Sequence, residues 1–194
     1  MRRRAILILA AATLIASSLP AYVHAASALR GDGVVTFYRP DKNERATFRY
    51  RDSAGRYMPA AMDAIAHIFR CRLTGEEHEI DPRLIELLDT IQDHFGSNEV
   101  RLISTYRSPL RNAIMHRRSR GVAKESLHMR GMAADIELPG VAKTAVRDFA
   151  YAMHGGGVGF YRRNGFVHVD CGFMRAWGWK PRPYSRTSPA SANK

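Results

Sequence analysis

The chain has 194 residues, 45% of them hydrophobic and 25% charged, enough for one domain with a real core and too few for two large ones. Those proportions exclude a collagenous, coiled-coil or wholly disordered protein. Its 30 Lys+Arg against 18 Asp+Glu give a formal charge of +12, which points to a polyanionic partner only if all of that charge belongs to the working protein.

Part of it does not. Arg2, Arg3 and Arg4 precede an apolar run from Ala5 to Ala16, a Ser17-Ser18-Leu19-Pro20 break and a small-residue cleavage site at Val23-His24-Ala25. Residues 1–25 are therefore expected to be an export signal, removed to leave a basic mature chain from Ala26. The adjacent arginines also fit a twin-arginine route. The apolar run falls short of the about 20 residues that a bilayer requires, so no lasting membrane span is expected. The expected location is the periplasm, where nucleic acid is not an expected partner. Cys71 and Cys171 are too few for a disulfide scaffold, and they read either as one bridge or as two buried thiols.

Val34 to Arg39 and Ala46 to Arg51 are β-branched and aromatic runs joined by the turn-forming Pro40-Asp41-Lys42-Asn43, which predicts a hairpin. Pro59 opens a helix to Cys71, with Met62, Ile65, Ile68 and Phe69 at helical spacing. Asp81-Pro82 pairs an N-cap with proline at the first helical position, and Leu84, Leu88, Ile91 and Phe95 form one apolar stripe ending at Gly96. Short strands are predicted at Val100 to Ser104, Ala133 to Leu138 and Phe166 to Asp170, and helices at Leu110 to Arg120 and Val141 to His154. The sum is an α+β domain. From Lys180 the chain carries almost nothing apolar, so 180–194 reads as a disordered basic tail and 26–179 as the domain.

The most unusual segment runs from Ser126 to Asp135, where His128 and Asp135 stand seven residues apart around Gly131. A loop entering a strand there can curl imidazole and carboxylate toward one point, with Gly131 supplying the turn through a positive φ. Downstream, His168 and Asp170 are two apart in a predicted strand and so share a face. Two histidines and an aspartate of this kind suit a zinc ion with an open fourth position, although a His-x6-Asp spacing alone equally fits polar residues at strand ends.

Ser126-x-His128-x-x-Gly131-x-Ala133-x-Asp135 followed by Phe166-Val167-His168-Val169-Asp170 resembles the zinc D-alanyl-D-alanine metallopeptidases, which share their architecture with the hedgehog domain. Thr74-Gly75-Glu76, Ile80-Asp81-Pro82-Arg83-Leu84, Ser104-Thr105-Tyr106-Arg107-Ser108-Pro109 and Gly157-Val158-Gly159-Phe160-Tyr161 look like its YcbK-like murein endopeptidase branch, over roughly Val34 to Trp179. The resemblance implies a small antiparallel sheet flanked by helices and carrying Zn2+ on His128, Asp135 and His168. It implies hydrolysis of peptidoglycan peptide cross-links by attack of zinc-bound water, including bonds between diaminopimelate residues. A D-Ala-D-Ala carboxypeptidase, or a non-catalytic peptidoglycan-binding module with structural zinc, are the alternatives. A monomer is expected.

Arg107 matches the family's arginine, to stabilise an oxyanion or hold a substrate carboxylate. Asp170 is the candidate base, or else fixes the tautomer of a ligand. Ser126 either meets the peptide stem of the substrate or caps its loop. His154, before Gly155-Gly156-Gly157, is either a helix-terminal cation or a substrate-facing residue beside a glycine lid. The basic run Arg107, Arg111, Arg117, Arg118, Arg120, Lys124 and Arg130 reads as a solvated face or as attraction to the carboxylates of peptide stems.

Overall fold

A computed structural model describes residues 31–119 and 121–181. The export signal at 1–25, Arg120 and the tail beyond residue 181 lie outside the described residues. In chain order come β1 (Val34–Arg39), β2 (Glu44–Arg49), α1 (Pro59–Ile68), α2 (Pro82–Phe95), β3 (Val100–Ser104) and α3 (Pro109–Arg118). A 3-10 turn (Leu127–Arg130) follows, then β4 (Ala133–Glu137), α4 (Lys143–Ala152), β5 (Gly157–Tyr161), β6 (Phe166–Asp170) and β7 (Arg175–Trp177). The α+β class holds. The sheet is larger than expected and mixed: its seven strands run β2-β1-β3-β4-β6-β5-β7, with β1·β3 and β5·β7 parallel and the other pairs antiparallel.

Alternation along the strands sorts the two faces. Ala134, Ile136, Val167, Val169, Val158 and Val100 are buried in a core shared with Leu84, Leu88 and Ile91 of α2 and Val146 and Phe149 of α4. Their neighbours Asp135, His168, Gly159 and Tyr161 turn to the opposite face, as the period of two requires. α2 is the clearest element in both sequence and structure. Asp81 accepts from the Arg83 amide at its start, and Gly96 closes it in the left-handed region at φ +56.

α2 also clasps the first described segment. Thr90 Oγ1, Asp93, Asp89 and Gln92 accept from the amides of Gly31, Asp32, Gly33 and Thr36, so helix side chains hold the chain as it enters the edge hairpin. Cys71 and Cys171 are free and buried, the first 3.3 Å from Ser108 Oγ and the second 3.6 Å from the Met132 carbonyl, so the buried-thiol alternative is the one observed. Among the described residues no helix is long and apolar enough to cross a membrane.

Candidate metal centre

Strand register assembles the site. Asp135 on β4 lies opposite His168 on β6, Ser104 pairs with Asp135 on one side, and Gly159 pairs with His168 and Trp177 on the other. One row of residues thus crosses five strands. An irregularity in β3 between Leu102 and Ser104 shifts the register, and both Ile103 and Ser104 come to line the cleft. The 3-10 turn then brings His128 over this row. Gly131 closes the turn at φ +64, where a Cβ would stand 2.1 Å from the Glu79 carbonyl oxygen, so both the backbone angle and the space demand glycine. Its carbonyl accepts from Asp81, the N-cap of α2, which ties the turn to the helix layer.

His128 Nε2, Asp135 Oδ1 and His168 Nδ1 form a buried triangle with edges of 3.2, 3.3 and 2.8 Å. Donors about 2.0–2.1 Å from a tetrahedral zinc are about 3.3–3.4 Å apart, close to the two edges from His128, while the 2.8 Å edge is a His168–Asp135 hydrogen bond that would open slightly around an ion. The outer atoms are also set. His128 Nδ1 lies 2.8 Å from the Thr105 carbonyl, which can only accept, so its proton sits there and the Nε2 lone pair faces inward. His168 Nε2 lies 3.1 Å from Asp170 Oδ2, which directs Nδ1 inward in the same way.

Electrostatics agree with a cation-binding set. Burial pushes the His128 imidazole down to about 4, so it is neutral at pH 7 and its lone pair is available. Burial acts to raise Asp135, but charge and hydrogen bonding from His128 and His168 outweigh it and hold the carboxyl below its ordinary range. Burial likewise opposes charge on His168, yet its hydrogen bonds to Asp135 and Asp170 prevail and raise its pKa, so without a cation Nδ1 shares a proton with Asp135 and a bound metal would take that proton's place. Asp135 is thus a carboxylate at any neutral pH, the anionic member of the three.

The sequence left two roles open for Asp170, base or orienting partner, and its surroundings bear on both. Its carboxylate stands behind the His168 ring, fully buried, and does not line the cleft. Oδ1 accepts from the amides of Gly157 at 3.0 Å and Gly172 at 2.9 Å, while Oδ2 takes His168 and Arg175 Nη2, the latter at 2.7 Å. A carboxylate so fully engaged has no lone pair to offer water in the cleft. In this arrangement Asp170 is placed to orient the His168 ring.

Arg107 is likewise committed. Its Nη2 donates to Asp135 Oδ2 at 2.7 Å and its Nε to Ser104 Oγ at 3.1 Å, so it steadies the Asp135 carboxylate first. Ser126 lines the cleft, and its hydroxyl makes no capping bond to the turn; the backbone carbonyl does the turn's work, accepting from Met129. His154 is not brought to the site. It follows α4 at φ +54, its ring lies 6.2 Å from that of Tyr151, and the next residue abuts Leu87 of α2, on the helix side of the sheet. Of the glycines after it, Gly156 and Gly157 pack on Asp170, where a Cβ on Gly157 would stand 2.5 Å from Asp170 Oδ2.

Three residues the sequence reading passed over belong to the site. Arg175 anchors Asp170, Trp177 packs its ring 5.1 Å from that of His168, and Trp177 Nε1 donates to Tyr161 Oη at 3.1 Å. Gly159 makes room for that indole, since a Cβ there would lie 2.4 Å from the ring. Their sequence signal was the alternation Gly157, Gly159, Tyr161 and Arg175, Trp177. The triangle, Arg107, Ser126 and these aromatic groups line a cleft of about 580 Å³.

Comparison with known proteins agrees with this geometry. Residues 28–177 match the family described as peptidoglycan L,D-endopeptidase MepK. The peptidoglycan L,D-endopeptidase MepK of Escherichia coli K12 is 35% identical over 176 residues, covering 90% of this chain and 96% of the relative, and the Shigella flexneri protein gives the same figures. The probable peptidoglycan L,D-endopeptidase MepK of Haemophilus influenzae is 35% identical over 146 residues, 74% of this chain and 78% of the relative. With a family match from one end of the sheet to the other and relatives at this identity, the chain belongs to the MepK family of peptidoglycan metallopeptidases.

Proposed function

We propose that this chain is a periplasmic, zinc-dependent endopeptidase that hydrolyses L,D peptide cross-links of peptidoglycan. In this reading residues 1–25 direct export, 26–179 form the working domain, and the protein acts as a monomer. The observation that carries it is the buried triangle of His128, Asp135 and His168 at the floor of an open cleft, in a chain of this family.

His128 Nε2, Asp135 Oδ1 and His168 Nδ1 would hold the metal. Zinc in such a site supplies a Lewis acid that polarises an amide carbonyl and acidifies water near neutral pH. The chain's own residues do the rest. Thr105 and Asp170 keep the ring protons of His128 and His168 on the outer nitrogens. Arg107 steadies Asp135 through Nη2, and its Nη1, which makes no bond within the described chain, is the donor left for a substrate carbonyl oxygen. Tyr161 Oη accepts from Trp177 and so keeps its own O–H to donate into the cleft. Ser126 Oγ offers a further polar contact for the peptide stem.

The test is mass spectrometry of purified cross-linked muropeptides incubated with mature protein, with chelator, with zinc restored, and with His168→Ala. Dimers should become monomers only when zinc and His168 are both present, with fragment masses that identify an L,D bond. Loss of a single terminal alanine would make the enzyme a carboxypeptidase. Metal binding without any cleavage would leave a binding module.

A further inference from the structure

The cleft exposes an unequal charge balance. Arginines 107, 111 and 175 all line it, against Asp135 and Glu125. Two of the three guanidiniums are already engaged: Arg107 with Asp135 and Ser104, and Arg175 with Asp170 and the Phe173 carbonyl. The Arg111 side chain makes no hydrogen bond or ion pair among the described residues, and Glu125 makes none with it.

Arg111 is nevertheless firmly presented. It sits in the first turn of α3, its amide donating to Ser108 Oγ, the helix N-cap. The next residue, Asn112, is buried and donates to the carbonyls of Ala123 and Lys124, which fixes the helix against the loop forming the facing wall. It lines the same cleft as Arg107 and the His128, Asp135 and His168 triangle. Two like charges sharing one cleft, only one of them neutralised, favour an anionic ligand. A guanidinium on a rigid element is suited to a planar carboxylate.

Resting on the endopeptidase reading, we propose that Arg111 is a specificity residue that binds a free carboxylate of the peptide stem beside the scissile amide. Substrates keeping that carboxylate are preferred over those in which it is amidated. Arg107, tied to the metal-ligand carboxylate, then serves the reacting carbonyl while Arg111 reads the neighbouring acid.

The experiment compares two synthetic cross-linked stem peptides identical except that this carboxylate is free or amidated. Both are assayed with zinc-loaded wild type, Arg111→Gln, Arg111→Lys and, as a remote loss of one positive charge, Arg49→Gln. Wild type should show a KM roughly 10-fold lower for the free acid, the scale of one partly exposed charge-assisted hydrogen bond. Arg111→Gln should bring the two substrates within about twofold of each other, Arg111→Lys should recover part of the preference, and Arg49→Gln should keep all of it. Undiminished preference in Arg111→Gln, or an equal loss in Arg49→Gln, overturns the proposal. If wild type cleaves neither peptide, the endopeptidase reading fails instead. Calorimetric binding of the same peptides then decides the role of Arg111: a free-acid preference lost in Arg111→Gln supports it, and equal affinities overturn it.

Discussion

At the scale of single residues, the site is built by commitments that leave few groups free. Asp170 shows the logic. It stands two residues from His168 on the same strand face and looks from the sequence like a base, yet four donors surround its carboxylate, and two of them, Gly157 and Gly172, are amides that cannot move away. Hydrogen bonding favours its charged form strongly enough to outweigh burial and hold its pKa below the usual carboxylate value. Asp170→Asn should therefore act through His168. Replacing one oxygen by NH2 sets a donor against Arg175 or the His168 ring, so zinc affinity should fall about 10–100-fold in competition with a chromogenic chelator. Saturating zinc should recover much of the lost rate. A rate that zinc cannot restore would return proton transfer to Asp170.

At the scale of elements, α2 does more than fill the core, and it makes stability depend on pH. Asp89 is fully buried where α2 clasps Gly31–Gly33, and burial pushes its carboxyl up to about 6, with Asp93 and Asp32 adding to the effect and hydrogen bonds from Tyr50 and Gly33 opposing it. Because the folded pKa lies above the unfolded one, the folded state holds more protons between about pH 4 and 6, and stability falls as pH rises through that window. The loss is on the order of 2–3 kcal/mol, and urea titrations of wild type and Asp89→Asn should show it only in wild type. The helix itself was legible, since Asp81-Pro82, the apolar stripe and Gly96 are local signals. So were the bounds of β1, β3 and β6, each of which carries at least two β-branched residues. β5 and β7 were not. Two glycines in Gly157–Tyr161 lower its strand propensity, and Arg175–Trp177 has only three residues, so both are strands because of their neighbours. The same limit governed the site. The motif named the three residues of the triangle, whereas the orientation of Asp170, the anchor Arg175 and the lack of a partner for the Arg111 side chain among the described residues depend on side-chain directions that only tertiary packing fixes.

At the scale of the whole molecule, the triangle joins parts of the chain that are remote in sequence. His128 comes from a turn held by the β3–α3 connection through Thr105 and Arg107, Asp135 from the middle of the sheet, and His168 from a strand 33 residues further on. Without a cation, the fold brings together a buried carboxylate, two imidazoles and a guanidinium whose mutual bonds must offset their desolvation. An ion that binds this arrangement and not the unfolded chain adds RT ln(1 + [M]/Kd), about 2.7 kcal/mol at a hundredfold excess over Kd. For a domain of this size that corresponds to a rise of roughly 5–10 °C in Tm. Calorimetric scans should therefore show Tm falling on chelation and returning with zinc. His168→Ala should be insensitive to both treatments. An arginine outside the cleft, such as Arg49, should respond to zinc as wild type does when changed to Gln. Equal Tm for loaded and stripped wild type would mean that the metal contributes nothing to the fold, and that β4, β6 and the turn are held in register by Arg107, Asp170 and the backbone alone.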